Sequence, residues 1–491
     1  MAEDSAEWLE LGEQFESGSK ARIIHEAVDR MDLSVLEAAY CGLGDPAYPP
    51  DLMLKMALFE IVEGRVSPSQ WFRDARVHKA LLWLGRGIQP SRTACYMFRD
   101  RVDDVMDSLH KLMIDQTLAE HDIHPETGVL DGTTLRAFAS RHRVVNRERL
   151  LKRLETLQAQ IEAEALDAGD SAAVDRPHWM AKTHRGRLEQ AHRFEQAKAI
   201  VERRIEENAK KPKDKRLRED RVQVSTSEPE APLGRDKEKV FCPLYTTEFL
   251  VEPSSLLIIS WDVFAQATDT GTLAPMIDRT QQMVDGKLKK VIADAGYVSV
   301  FDLQACQQRN IDLVAPVQEN AFTKHKQTAA DTNKIGRDQF RWLPSEQTYV
   351  CPQGHQLDYR GKQRKRRRGD QHIIEHCYHC SPGHCQGCPL APQCVRDPTK
   401  GRTFKRLEGQ DLLDGQREKM KGEDAKAEYK QRGAVIERAF ADIKRNREFR
   451  RLHGKGLARA KTQVGLVVLA QNILTAHRLR QTRLNQVKCE T

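Results

Sequence analysis

No stretch of this sequence approaches the roughly 18 consecutive apolar residues that a membrane-crossing helix needs. Its opening, MAEDSAEWLE, is acidic and has neither the basic nor the apolar region of a secretory leader. These two absences speak against a membrane or exported protein and lead to the expectation of a soluble, cytoplasmic one. A pairable set of cysteines is also missing. The count is 11, an odd number, and six fall between Cys351 and Cys394. In a reducing compartment such a cluster reads as metal ligands before disulfides. Nor is the chain strongly charged overall: its net charge is only +8. The positive charge is uneven, so local runs matter more than the total. With 491 residues, 39% of them hydrophobic, the chain is too long for one ordinary core. About two to four domains are expected.

Residues 21–120 read as helical. DLMLKMALFEIVEG carries Leu54, Leu58, Ile61 and Val62 at helical spacing and closes on Gly64. SPSQWFRDARVHKALLWLGRG reads as a second helix, and PSRTACYMFRDRVDDVMDSLHKLMID as a third with Ser91 as N-cap. Helix, Gly-rich turn, helix suits a helix-turn-helix DNA reader, with Arg92, Tyr96 and Arg99 facing phosphates or bases. A helical bundle without DNA contact suits the pattern equally.

GVLDGTTLRAFAS reads as a short buried strand with Asp131 at its tip. A charged helical hairpin follows. Leu150, Leu154, Leu157 and Ile161 form one stripe; Phe194, Ala197, Val201 and Ile205 form the other. KKPKDKRLREDR is then an exposed basic connector. FLVEPSSLLIISWDVF suggests a β-hairpin, GTLAPMIDRTQQMV a helix, and LKKVIADAGY a buried strand ending near Asp294. IDLVAPVQ is another strand. Residues 318–425 are polar, loop-rich and cysteine-rich, with GKQRKRRRG a run of like charge. QVGLVVLAQNILTAHRL is an apolar closing helix. This order of elements fits an α/β protein with a mixed sheet flanked by helices.

Near the end stands YKQRGAVIERAFADIKRNREFRR, a basic segment with an acid, Glu437, inside its apolar patch. The residues three and four positions away are Gly433, Ala434, Phe440 and Ala441, so Glu437 lacks a basic helical partner. Asp131, Asp294 and Glu437 share a setting: each sits where an apolar element meets a small residue or a basic face. Three converging carboxylates suit two Mg²⁺ ions, hard cations that take oxygen ligands together with substrate phosphate. The plainer reading makes them solvated acids.

VLDGTTLRAFAS, VIADAGY and the Tyr429–Arg451 segment together resemble bacterial insertion-sequence transposases of the DDE class. DPAYPPDLMLKMALFEIVEG and IQPSRTACYMFRDR resemble the helical N-terminal domain of that family. The resemblance spans most of the chain in the family's order. It implies a ribonuclease-H-like core with Asp131, Asp294 and Glu437 as first, second and third acid. It also implies a Tyr, Arg, Glu, Lys signature, matched by Tyr429, Arg432, Glu437 and Lys444. The commoner pattern places three residues between Arg and Glu; here there are four. Lys444, Arg445, Arg447, Arg450 and Arg451 are expected to hold DNA phosphates.

Between Cys377 and Cys388 lie two C-x-x-C pairs, and the thiolates of such a turn can reach one tetrahedral Zn²⁺. The residues alone leave the set of four open. The resembling subgroup has a cysteine near the start of an insertion between the second and third acids, and a C-x-x-C-P-L…C run at its end. That match implies Cys351, Cys385, Cys388 and Cys394, with Cys377 and Cys380 as alternatives and His355, His379 and His384 in reserve. A reduced, metal-free loop is the plainer reading.

These readings give a multidomain α/β chain. Residues 1–122 form an all-α DNA-binding domain. Residues 123–145 and 223–325 form a ribonuclease-H-like core interrupted by the hairpin at 146–222, with a zinc-binding insertion at 326–408 and closing helices at 409–491. The expected activity is cleavage at transposon ends and transfer of the 3′-OH strand into target DNA, with two Mg²⁺ (or Mn²⁺) per site and one structural Zn²⁺. Expected partners are duplex DNA, as terminal inverted repeats and target, and a second copy of the chain. The expected location is the bacterial nucleoid. The alternatives are a non-catalytic DNA-binding derivative and a nuclease without strand transfer.

Overall fold

The structure is a computed structural model that describes residues 1–2, 4–40, 48–166, 176–211, 213–318, 335–336, 339–366, 372–441, 443 and 449–490. It is mixed α/β and divides into two compact units, Met1–Ala293 with Lys430–Thr491, and Asp294–Tyr429. Among the described residues no helix is long and apolar enough to cross a membrane.

The first unit opens with helices α1 (Ala6–Glu13), α2 (Lys20–Asp29), α3 (Ser34–Ala38) and α4 (Pro50–Val62). On α4 every residue from Leu52 to Val62 is buried, so its surface is not the single stripe that the spacing suggests. Two charges go in with it, and each is matched. Lys55 pairs with Asp29, and Glu60 accepts from Arg65 at 3.1 and 3.2 Å. Burial still pushes the Glu60 carboxyl up to about 7.

The expected second helix is in fact two, α5 (Pro68–Asp74) and α6 (Lys79–Leu84). Trp71 and Ala80 are both buried. On one continuous helix they would lie about 180° apart, at about 100° per residue. Breaking the helix lets both face inward. α7 (Arg92–Arg101) starts at Ser91, whose hydroxyl accepts from the Ala94 N–H at 3.1 Å, and a 3₁₀ turn joins it to α8 (Met106–His121).

The sheet of this unit contains β1 (Thr127–Arg136), then β4 (Leu233–Arg235), β5 (Phe241–Val251), β6 (Ile258–Phe264) and β7 (Lys290–Ile292). Within this unit its order is β4–β5–β1–β7, with β6 also on β5; β1 and β7 pair in parallel, and β1–β5, β4–β5 and β5–β6 are antiparallel. Short β2 (Val144–Asn146) and β3 (Gln223–Ser225) pair beside the hairpin of α9 (Arg147–Leu166) and α10 (His184–Ala209). The hairpin closes over Leu150, Leu154, Leu157, Phe194, Ala197 and Val201, the two stripes of the sequence. α11 (Leu273–Met283) packs by Met276 and Ile277.

In the second unit are α12 (Val300–Gln308) and β8 (Asp312–Val314). The ribbon β9 (Arg341–Leu343) with β10 (Thr348–Val350) follows, then a sheet of β11 (Asp358–Arg366), β12 (His372–Cys380) and β13 (Arg402–Leu407). Single turns α13 (Pro382–Cys385) and α14 (Ala391–Cys394) stand between β12 and β13, and α15 (Gln410–Lys419) follows. The loop-rich reading of this segment passed over these strands. Phe340, Tyr349, Tyr378 and Phe404 form a small aromatic core that holds the strands together. Arg406, 4% exposed, is carried into that core by its bonds to Tyr349 (3.0 Å), Asp411 and Asp414 and by the Trp342 ring.

The unit boundary falls within α16 (Glu423–Ala441). The first unit ends in α17 (Leu457–Glu490), whose span Val464–Ile473 is buried throughout. The α17 side chain of Asn472 accepts from Ile258 N–H at 3.0 Å and donates to Ile258 C=O at 2.9 Å, satisfying the β6 backbone as a neighbouring strand would.

Candidate active site

Asp131 does not stand at a strand tip. β1 continues five residues beyond it, because β-branched Thr133 and Thr134 extend the strand and pair with Thr247 and Thr246 of β5. Asp131 lies opposite Phe249. The Phe440 ring of α16 meets Phe249 edge-on at 5.1 Å. From the same helix, Arg432 Nη2 donates to Asp131 Oδ1 at 2.7 Å. The two side chains are 17% and 21% exposed, so this is a partly buried, charge-assisted bond.

The docking face of α16 is thus Arg432, Val435, Ile436, Ala439 and Phe440. Glu437 is exposed. It lies five residues from Arg432, roughly 140° around the helix. It therefore borders the apolar patch instead of belonging to it.

Alternation along β1 puts Gly132 on the opposite face from Asp131. A Cβ there would lie 2.8 Å from carboxylate oxygens of both Glu248 and Asp269, so a larger side chain would displace them. Glu248 is fully buried and accepts from the Thr272 hydroxyl at 3.0 Å. Sequence reasoning missed both acids. An acid inside the apolar strand TTEFLV was the available signal.

Asp294 belongs to the second unit. It caps the turn Ala295–Tyr297, accepting from the Gly296 N–H at 2.6 Å. Tyr297 anchors that turn, 1% exposed.

The expected DNA contacts separate into groups. Arg92 is exposed, with its guanidinium 5.9 Å from the half-buried Tyr96 ring. Arg99 is corrected: it is 3% exposed and its guanidinium is bound to Asp100 at 2.6 and 2.8 Å. Arg459 of α17 holds the same carboxylate at 3.1 and 3.2 Å, so Arg99 serves packing between helices. Tyr429 is half-buried. Arg450 reaches Glu238 at 3.4 Å, and Arg451 is exposed with its guanidinium 5.6 Å from the Phe138 ring. Lys444, Arg445 and Arg447 lie outside the described residues.

In the second unit a cavity is walled by Cys351, Cys380, Cys385, Cys388 and Cys394, with His355 and His384. It leaves about 20 Å³ in which a water-sized body can be centred. Two glycine turns shape it. Gly354 (φ +85°) lets the His355 N–H donate to Cys351 Sγ at 3.3 Å, and Gly387 (φ +82°) sits between Cys385 and Cys388. Burial, then the neighbouring thiols of Cys385, Cys351 and Cys394, push the Cys380 thiol up to about 12.

Cys377 is not among the lining residues, because three positions along β12 reverse the face and Cys380 alone turns inward. His379 is outside the lining too; its ring bonds the Lys400 carbonyl at 2.8 Å. Among the described residues no three of His, Cys, Asp and Glu are spaced to hold a metal ion as they stand.

Two family models match the chain. One, described as a transposase domain (DUF772), covers residues 9–101. The other, described as a transposase DDE domain, covers residues 350–477. No curated protein and no solved structure matches.

Proposed function

From the premise that this chain carries the two domains of an insertion-sequence transposase of the DDE type, we propose that it cuts DNA at transposon ends, exposes a 3′-hydroxyl and joins that strand to target DNA. The observation that carries this reading is the bond from Arg432 of α16 to Asp131 of β1. It ties the helix of the third acid to the strand of the first. The parallel register of β1 and β7 also supports it: Val129 pairs with Ile292, and along the chain Asp131 and Asp294 each follow by two residues. The core is read as ribonuclease-H-like on the same grounds.

DDE transposases generally use divalent metal. Asp131, Asp294 and Glu437 offer the hard oxygen donors that Mg²⁺ or Mn²⁺ takes, and they are the residues that would hold it. The bound ions would supply charge neutralisation at the scissile phosphate and at the attacking oxygen. Arg432 meanwhile holds the Asp131 carboxylate in place and offsets its charge. The half-buried Tyr429 and exposed Arg450 and Arg451 are read as backbone contacts on duplex DNA. The chain acts as a dimer in this reading, since two ends must be held together.

The thiol cavity is read as a structural zinc site. Its donors are sulfur and imidazole, the set that zinc prefers, and two glycine turns present them. Cys351, Cys385, Cys388 and Cys394 remain the proposed ligands, with Cys380 the alternative that faces the same cavity.

The test supplies a labelled 3′-hydroxyl end and a target duplex with Mg²⁺. Joined product supports transposition. Cutting without joining would leave a nuclease, and binding alone a regulator.

A further inference from the structure

Beyond Asp131, the far end of β1 gathers positive charge; Arg136 is answered there by Asp236 and Glu238, and Arg450 by Glu238, while three cations nearby are not so paired. Arg136 closes the strand; its N–H donates to Arg450 C=O at 3.1 Å, and the Leu452 N–H donates to Arg136 C=O at 2.9 Å. The segment after Arg450 therefore runs beside the chain leaving β1. Thr226 fastens the next stretch, its N–H and hydroxyl both donating to Arg143 C=O, at 2.9 and 3.1 Å. Two residues on, Glu228 accepts from the Gly456 N–H at 3.0 Å and from the Tyr245 hydroxyl at 2.8 Å. These bonds bring Arg143 and Lys455 together. Arg193 joins them from α10, since its neighbour Phe194 shares a core with Val145 and Val224.

Among the described residues none of Arg143, Arg193 and Lys455 has a carboxylate partner at ion-pair distance, and Arg193 Nε is buried with no hydrogen-bond partner. The acids facing Lys455 are Glu228, held as above, and Glu189, which bonds Arg185 at 3.2 Å. Much of the Lys455 side chain is open to solvent. Enough protein surrounds it that desolvation, then Arg193 and Arg143, hold its ammonium below the ordinary value. Beside the cluster is the Phe138 ring, 40% exposed, with the Arg451 guanidinium 5.6 Å from its centre and His453 tilted against it at 6.1 Å. Like charges held together repel unless an anion lies among them.

We propose that Arg143, Arg193 and Lys455 form a phosphate-backbone contact for duplex DNA flanking the cleavage point, with Phe138 and Arg451 at its edge. This rests on the transposase reading and names where that substrate lies. Asp131 is five residues from Arg136. At about 3.4 Å per residue that is about 17 Å. The strand end beside the contact is thus set off from Asp131 along β1. Contacts to phosphate position the duplex without reading its sequence.

The test measures affinity of the full chain for labelled duplex DNA of arbitrary sequence across a salt series. Changing Arg143, Arg193 and Lys455 together to Gln is expected to flatten the slope of log affinity against log salt by about 2.7, at about 0.9 per lost phosphate contact. Unchanged affinity and slope in a variant that keeps the parent's circular dichroism overturns the contact and leaves the transposase reading standing. A parent that binds no duplex overturns both. Should the triple variant not fold, acetylation of Lys455 in the parent decides: protection by the duplex supports the contact, and equal labelling with and without DNA overturns it.

Discussion

The surroundings of Asp131 and the thiol cavity solve the problem of housing reactive groups in opposite ways. At Asp131 the chain answers its own charge: Arg432 meets the carboxylate at 2.7 Å, and Phe440 on Phe249 seats the helix that carries it. In the cavity five thiols face one another, and burial together with Cys385, Cys351 and Cys394 raises the cost of ionising Cys380. The first site sits on a sheet that stands by its own packing. The second stands on a few aromatic side chains. In the proposed reading, metal at the first would serve chemistry, while metal at the second would serve architecture.

The largest effect that would sharpen this contrast is at the cavity. Changing Cys385 and Cys388 to Ser should remove about one zinc per chain. The apparent binding energy lost is on the order of 10–16 kcal/mol, as for structural zinc sites that fold with their metal. Elemental analysis and protease sensitivity of residues 345–405 read it out. Zinc-free parent protein with the same protease pattern would break the comparison.

Next comes Phe440→Ala, expected to cost about 3–5 kcal/mol of unfolding free energy in chelator, as for other buried aromatic truncations. Zinc content should not change. Asp131→Asn should lower cleavage by at least about 10²-fold, the scale of a lost charge-stabilising group. Duplex affinity should stay near the parent's, since Asn can still accept from Arg432. A variant that cleaves normally would remove Asp131 from the chemistry.

Smallest is Arg432→Gln. It should cost about 1.5–3 kcal/mol in metal-free protein, the range for hydrogen bonds to charged groups. Saturating Mg²⁺ should shrink that loss, because Asp131 would then have another counter-charge. Equal destabilisation with and without Mg²⁺ would mean that Arg432 and the ion never share the carboxylate.

What was legible in the sequence was local. The stripes at Leu150–Ile161 and Phe194–Ile205 are helical periodicity, and Ser91 is a cap within one turn of its partner. The hairpin of β5 and β6 needs only nearby residues. What escaped depends on distant partners. Asp131 read as a strand tip because the strand that extends it, β5, comes more than a hundred residues later. Arg99 read as a DNA contact because its neutralising neighbours include Asp100, shared with Arg459 from the far end of the chain. Cys377 and Cys380 looked equivalent until β12 assigned them opposite faces. Glu437, by contrast, stood out on composition alone, and the docking face of α16 explains the apolar residues around it.

α17 follows every other described element in chain order, yet it packs against α4, α8 and β6 of the first unit. Gly465 is pressed so closely between Met106 and Trp261 that a Cβ there would lie 2.5 and 2.6 Å from their side chains. Domains that emerge N-terminal end first tend to fold as they appear. Here the apolar faces of α4, α8 and β6 wait uncovered until the ribosome has made α17. A nascent chain stalled before residue 457 would display a sticky surface that the finished protein hides. Synthesis of this protein thus carries its own window of vulnerability, which stays open until α17 is made.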